Sequence, residues 1–192
     1  MRIIGGKLKG KKLTPFRGNS TRPTTDRVRE SIFNICASKI SNANVLDLFA
    51  GTGALGLEAL SRGAASAVFI DSATNSVKTI YKNIESCRMA DRAKVIKWDI
   101  LKNLNCLYGK RAIYDLIFMD PPYNENAIGP VLKNLINSDV LKTGTTIIIE
   151  HSVSKSILEN IGGYDLTDRR KYGKTLVSFL TVMLQENLPE TF

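Results

Sequence analysis

Cysteine is scarce and unpatterned: Cys36, Cys87 and Cys106 are far apart, odd in number and without a CxxC spacing. That argues against a disulfide framework and against a zinc site, and leads to the expectation of a reducing, cytoplasmic setting and no metal. Long apolar runs are also missing. The opening MRIIGGKLKGKK has no apolar stretch before a small-residue cleavage site, and no uninterrupted stretch approaches a membrane span, so neither export nor insertion is expected. There is one histidine. His151 follows a candidate strand without a matched partner, so a structural role is expected for it, with Glu150 beside it near the mouth of any site at that strand end. Repeats, low-complexity tracts and Pro-rich hinges are absent, which leaves few places for a domain boundary.

What is present is ordinary in amount and uneven in distribution. The chain is 192 residues long, 43% apolar and 23% charged, enough for one globular core. Of the net charge of +9, nearly all sits at the front: residues 1–29 carry nine cations (Arg2, Lys7, Lys9, Lys11, Lys12, Arg17, Arg22, Arg27 and Arg29) against Asp26 alone. A concentrated basic arm suits a phosphate backbone, because each neutralised phosphate releases counterions; a solvated tail or acidic lipid is the weaker reading. We place a boundary near residue 40, giving a basic extension over 1–40 and a catalytic body over 41–192. Within the extension, 2–5 and 11–13 read as a small hairpin. Thr24 or Thr25 then caps a helix with Val28, Ile32, Phe33, Ile35 and Cys36 on one face.

From residue 44 short β-rich runs alternate with helical ones. Residues 44–49, 67–71, 94–98, 115–119 and 145–150 read as strands, and 55–62, 77–89, 128–135 and 153–160 as helices. VLDLF, LIFMD and TIIIE are apolar on both faces, as parallel strands covered by helices must be. Residues 164–172 and 175–184 are joined directly through Gly173 and Lys174 and read as an antiparallel pair. The expected architecture is a doubly wound α/β sheet closed by a hairpin.

In DLFAGTGALGLEAL, residues 47–60, a strand ends, Gly51, Gly53 and Gly56 follow, and a helix begins. Glycines let the chain turn tightly and let a ligand approach the backbone. The spacing alone equally allows a nicotinamide or flavin cofactor. An acid at Asp47 followed by FAGTG resembles instead the first motif of S-adenosylmethionine-dependent methyltransferases. Asp71, eighteen residues after Gly53, stands where a carboxylate can accept from ribose hydroxyls. Asp99 can accept from an adenine amino group while Trp98 or Ile100 packs nearby. Each acid could otherwise cap or organise the turn after its strand.

After LIFM comes Asp120-Pro121-Pro122-Tyr123, which resembles the signature of amino-group methyltransferases. An exocyclic base amine has its lone pair drawn into the ring and is a poor nucleophile while planar. Acceptors at Asp120 and at the Pro121 carbonyl, held by stiff prolines, favour the pyramidal nitrogen of the transition state. Tyr123 offers a face for the flipped base. The motif does not choose among adenine N6, guanine N2, cytosine N4 and a glutamine side chain, and a rigid turn is the bland reading. A nicotinamide oxidoreductase would leave DPPY unexplained; a non-catalytic RNA-binding assembly factor would leave both motifs unused.

RIIGGKLKGKKL (2–13), RPTTDRVRESIFNI (22–35) and the pair FAGTG plus DPPY together resemble the bacterial 16S ribosomal RNA guanine-N2 methyltransferases, over residues 2 to about 182. The resemblance implies the class I, Rossmann-like methyltransferase fold with a seven-stranded sheet. It implies methylation of a guanine N2 in 16S rRNA of the small subunit by a monomeric enzyme that turns S-adenosyl-L-methionine into S-adenosyl-L-homocysteine. The implied cofactor set is Asp47, Phe49, Ala50, Gly51, Thr52, Gly53, Gly56, Asp71, Ser72, Trp98, Asp99, Ile100 and Asp120. Arg22, Thr24 and Arg29 would border the cofactor and the guanine, and the cations of the arm would meet RNA. Lysines stand where several family members have arginines in the first hairpin, which keeps charge and loses bidentate phosphate geometry.

Overall fold

In a computed structural model, which describes residues 1–15, 25–109, 112–122, 127–153 and 162–184, four helices and seven strands alternate. In chain order they are α1 (Asp26–Ile35), β1 (Asn44–Leu48), α2 (Ala54–Ser61), β2 (Ser66–Asp71), α3 (Thr74–Cys87), β3 (Ala93–Lys97), β4 (Leu116–Met119), α4 (Ile128–Ile136), β5 (Thr146–Ser152), β6 (Tyr164–Tyr172) and β7 (Thr175–Val182). The strand order is β3-β2-β1-β4-β5-β7-β6. β3, β2, β1, β4 and β5 are parallel, while β7 runs antiparallel to both β5 and β6. The expected doubly wound sheet with a terminal hairpin is therefore what forms.

The all-apolar strands explain the layering. Leu116, Phe118 and Ile148 face one side with Val28, Ile32 and Phe33 of α1, Leu57 and Leu60 of α2, and Ile80 and Ile84 of α3. Their neighbours Ile117, Met119, Ile147 and Ile149 face the other, against Val131, Leu132 and Leu135 of α4. A side-chain period of two makes each strand serve both layers. No helix among the described residues is long and apolar enough to cross a membrane.

The arm follows its reading in outline. The expected hairpin forms as an antiparallel bridge, Arg2 with Lys12, flanked by backbone bonds from the Ile3 amide to the Lys11 carbonyl, the Gly10 amide to the Ile3 carbonyl and the Leu13 amide to the Met1 carbonyl, around a 3₁₀ turn at Gly6–Leu8. Thr25 caps α1, its hydroxyl accepting from the Val28 amide at 3.3 Å. Ile35, expected on the apolar face, points outward at 39% exposed; Val28, Ile32, Phe33 and Cys36 make the buried stripe. Ile3 and Leu13 join the same cluster as the strands and α1 to α3. The expected helix at 153–160 lies almost wholly outside the described residues, where only Val153 is placed, in a turn.

Polar contacts fix the arm to the body. Glu58, fully buried in α2, accepts from the Ile4 and Gly5 amides at 2.7 Å each and from Arg62 Nε at 2.7 Å. Ser61 accepts from the Leu8 amide at 2.9 Å and donates to the Gly5 carbonyl at 2.7 Å. Buried Asn83 of α3 accepts from the Thr14 amide at 2.7 Å and donates to the carbonyls of Thr14 and Thr52. Nothing in the hydropathy pattern marks Glu58 or Asn83, since the pattern reports faces and not the partner waiting there. Glu58→Ala orphans two amides and the Arg62 guanidinium at once. It is expected to cost roughly 3 to 5 kcal/mol in chemical denaturation and to speed hydrogen exchange at Ile4 and Gly5; unchanged exchange there would refute the docking role.

Candidate functional site

The site forms where the order of strands reverses. From β1 the chain winds outward through β2 to β3, then returns to place β4 on the other side of β1, with Leu48 opposite Met119. The loops after β1 and β4 therefore leave the same edge side by side, at the crevice where open α/β sheets take ligands. One carries the glycines and the other Asp120.

The glycine loop is built by its own backbone and two acids. Phe49, immediately after β1, is left-handed (φ 57°), as are Gly51 (φ 56°) and Gly53 (φ 76°). A bulky residue in that region is uncommon and accompanies tight functional turns. A Cβ on Gly51 would meet nothing closer than the Phe49 carbonyl oxygen at 3.9 Å, so this stretch of backbone is open to a ligand. At Gly56 a Cβ would stand 2.3 Å from the Phe69 ring, so glycine there serves the packing of α2 on β2. Asp47, 2% exposed, accepts from the Gly56 amide at 2.9 Å. Burial pushes its carboxyl up to about 8, with the nearby Asp71 charge adding and the Gly56 amide opposing.

Asp71 ends β2 and accepts from the Gly51 amide at 2.8 Å through one oxygen and from the Ala73 amide at 2.8 Å through the other. It thus shapes the loop and the start of α3, and a carboxylate with about four acceptor directions still has two to offer a diol. Ser72 beside it is exposed. β3 stops at Lys97, so Trp98 and Asp99 lie just past the strand and not inside it. The Trp98 amide bonds the Asp71 carbonyl at 3.1 Å, and its indole, 37% exposed, donates to the Asn103 carbonyl at 3.1 Å. Asp99 accepts from the Leu101 amide at 3.2 Å, and Ile100 is buried. Thr52 donates to Met1 Sδ at 3.2 Å, which brings the start of the arm to the loop.

Asp120 is partly exposed at the end of β4, Pro121 is buried beneath it and Pro122 is exposed. Tyr123, Arg17, Arg22 and Thr24 lie outside the described residues. Lys7, Lys9, Lys11, Lys12 and Arg27 are exposed. Arg29 is fully buried, its Nη2 donating to Asp26 at 2.7 Å and to the Arg2 carbonyl at 2.8 Å, so it braces the arm instead of facing solvent. His151 is buried between Ser178 Oγ at 3.0 Å and the Ser152 carbonyl at 3.1 Å.

The family described as Conserved hypothetical protein 95 matches residues 1–181. A Bacillus subtilis protein, YlbH, provisionally named an rRNA methyltransferase, is 35% identical over 178 residues, 93% of this chain and 97% of its own. The ribosomal RNA small subunit methyltransferase D of Escherichia coli K12 is 36% identical over 157 residues, 82% of this chain and 77% of that protein. The solved structure of yhhF from Escherichia coli, provisionally described as a methyltransferase, superposes with a TM-score of 0.83 at 32% identity, covering 95% of this chain and 97% of that one. The architecture is that of the class I methyltransferases.

The buried acid makes stability depend on pH. Because the folded protein holds the Asp47 proton more tightly than the unfolded chain does, this contribution is complete below the unfolded value. It is lost as pH rises toward about 8, at on the order of 1 kcal/mol per pH unit. Asp47→Asn keeps an acceptor for the Gly56 amide and should flatten that slope in denaturation series between pH 5 and 8 (roughly the window below the raised value). An identical slope in both proteins would mean that Asp47 is ionised throughout.

Proposed function

The chain belongs to the family described as Conserved hypothetical protein 95, and from that premise we propose that it transfers a methyl group from S-adenosyl-L-methionine to the exocyclic N2 of a guanine in 16S rRNA of the small ribosomal subunit. The observation that carries this reading is the pairing of Leu48 with Met119, which sets the glycine loop beside Asp120 and Pro121. The names of the relatives support an rRNA substrate. The choice of guanine N2 rests on the resemblance of residues 2–13 and 22–35, with FAGTG and DPPY, to the bacterial 16S ribosomal RNA guanine-N2 methyltransferases.

The chain's groups fit the cofactor. The open face at Gly51 admits a ligand against backbone, two lone-pair directions remain on Asp71 for ribose hydroxyls, and Trp98, Asp99 and Ile100 stand next along the edge for an adenine. Phe49, Ala50, Thr52 and Ser72 complete the cradle. When bound, the cofactor supplies an electrophilic methyl on a sulfonium. Every other requirement falls to the protein. Asp120 and the Pro121 carbonyl accept the two amine hydrogens, which frees the nitrogen lone pair by favouring the pyramidal geometry. Tyr123 stacks the extruded base, an interaction worth roughly 1 to 3 kcal/mol. Proton loss follows methylation, since the methylated ammonium is strongly acidic, so Asp120 need not act first as a base. Lys7, Lys9, Lys11, Lys12, Arg17, Arg22 and Arg27 meet the RNA backbone, and the enzyme acts as a monomer in the cytoplasm.

Purified protein with tritiated S-adenosyl-L-methionine should label small subunits taken from cells lacking this methyl group, and digestion followed by mass analysis should place the label on a guanine. Asp120→Ala should lower labelling by at least about a hundredfold, the scale of losing one positioned acceptor, with cofactor binding retained in calorimetry. Equal labelling by that variant would remove the amine contact. Label on adenine would overturn the choice of base.

A further inference from the structure

We propose that the tip of the β6–β7 hairpin is a second RNA-backbone contact, separate from the basic arm, which holds the nucleotides flanking the reacting base; the proposal rests on the reading of the site given above. Beyond residue 29 the charge nearly balances when summed, yet residues 169–174, RRKYGK, contain four cations and no acid. Arg169, Arg170, Lys171 and Lys174 are all exposed. Arg170 pairs with Asp168 at 3.0 Å. Among the described residues, Arg169, Lys171 and Lys174 have no carboxylate within ion-pair distance.

The register decides where these charges lie. Ser152, the last residue of β5, pairs with Thr175, which pairs in turn with Tyr172. The Val153 amide donates to the Lys174 carbonyl at 3.1 Å. Since β5 runs parallel to β4, the hairpin tip stands on the edge that also carries Asp120. β7 is two strands from β4 and β6 three, so at about 4.8 Å per strand the tip is offset about 10 to 15 Å from Asp120 across the sheet. A nucleic-acid strand whose base sits at Asp120 can reach that far with its neighbouring phosphates.

A second contact makes the tip part of a wall. The Tyr172 hydroxyl hydrogen-bonds the Ser31 hydroxyl of α1. Beside it, Arg27, Glu30, Ser31, Asn34 and Ile35 line an open groove of about 410 Å³. The arm's own helix and the hairpin are therefore tied together along one margin. Cations on β6 could instead serve only to keep an edge strand from pairing with other chains. That role would spread them along the strand, whereas the half nearer Tyr164 carries Asp165 and Asp168 and no cation. The charge is concentrated at the ligand edge alone.

The test compares the full-length protein with Arg169→Ala/Lys171→Ala/Lys174→Ala, using unmethylated small subunits and tritiated S-adenosyl-L-methionine. The expected result is a KM for subunits raised about tenfold with kcat changed much less. Calorimetric affinity for the cofactor and the thermal midpoint should stay as in the parent. The slope of log affinity against log salt should fall by about 2, the release expected from three single-strand phosphate contacts. Lys171→Arg/Lys174→Arg should restore the parent KM, and Asp165→Asn at the far end should leave it alone. A parent protein that labels RNA and a triple variant with the same KM and salt slope would overturn the hairpin contact and leave the proposed reaction standing. A parent protein that labels no RNA would overturn both.

Discussion

The parallel pairing of β1 with β4 is the constraint on which the site depends. Neither strand is special by itself: NVLDL and LIFM are short apolar runs whose side chains alternate between the two layers of the core. What matters is that they are neighbours although 67 residues of chain, 49–115, lie between them. Ladder bonds hold strands about 4.8 Å apart, so the backbone turn after β1 and the carboxylate after β4 are placed together by the sheet itself. Loop residues alone, free to rotate, could not hold an electrophile and an amine within reacting distance.

The turn after β1 has to be held open, and acids do this from two sides. Asp47 accepts from the Gly56 amide across the loop, while Asp71 takes the Gly51 amide from the neighbouring strand. Desolvation drives Asp47 toward its neutral form, which lessens its repulsion of Asp71. One acid is buried against the Gly56 amide and the other, Asp71, is partly exposed at the strand end.

Much of this was legible in the sequence, for physical reasons that differ between elements. The strands were readable because burial on both faces forces continuous apolar runs, and α3 because an amphipathic helix repeats every three or four residues. The glycine loop is readable because its left-handed positions admit few residues. Ile35 stands about 100° of turn from the buried Cys36 that follows it, which puts it at the margin of a stripe centred on Ile32, Phe33 and Cys36. The arm's hairpin is legible from its two extended runs, while the 3₁₀ turn at its bend is not, because a strand pattern cannot show it. Glu58 and Asn83 were silent. Each is a polar residue in a helix whose partner is a backbone amide more than fifty residues away, and periodicity has no way to express such a contact. Arg29 was counted with the basic arm on charge, but burial and the bond to the Arg2 carbonyl make it a brace.

The same contacts give the arm a role beyond its charge. A flexible polybasic tail would bind phosphate from any direction and contribute nothing to the alignment of a base. Here Glu58 and Ser61 hold the arm against α2, and α2 starts where the glycine loop ends. Asn83 joins Thr14 of the arm to Thr52 of that loop through a single side chain. The surface that meets RNA, in the proposed reaction, and the loop that meets the cofactor are thereby parts of one rigid unit. In the proposed reaction, binding energy from distant phosphates is available to orient the amine, because orientation is lost only where a joint between the two sites can flex. This accounts for the expense of burying three polar side chains, Glu58, Ser61 and Asn83, beneath a segment whose visible feature is positive charge.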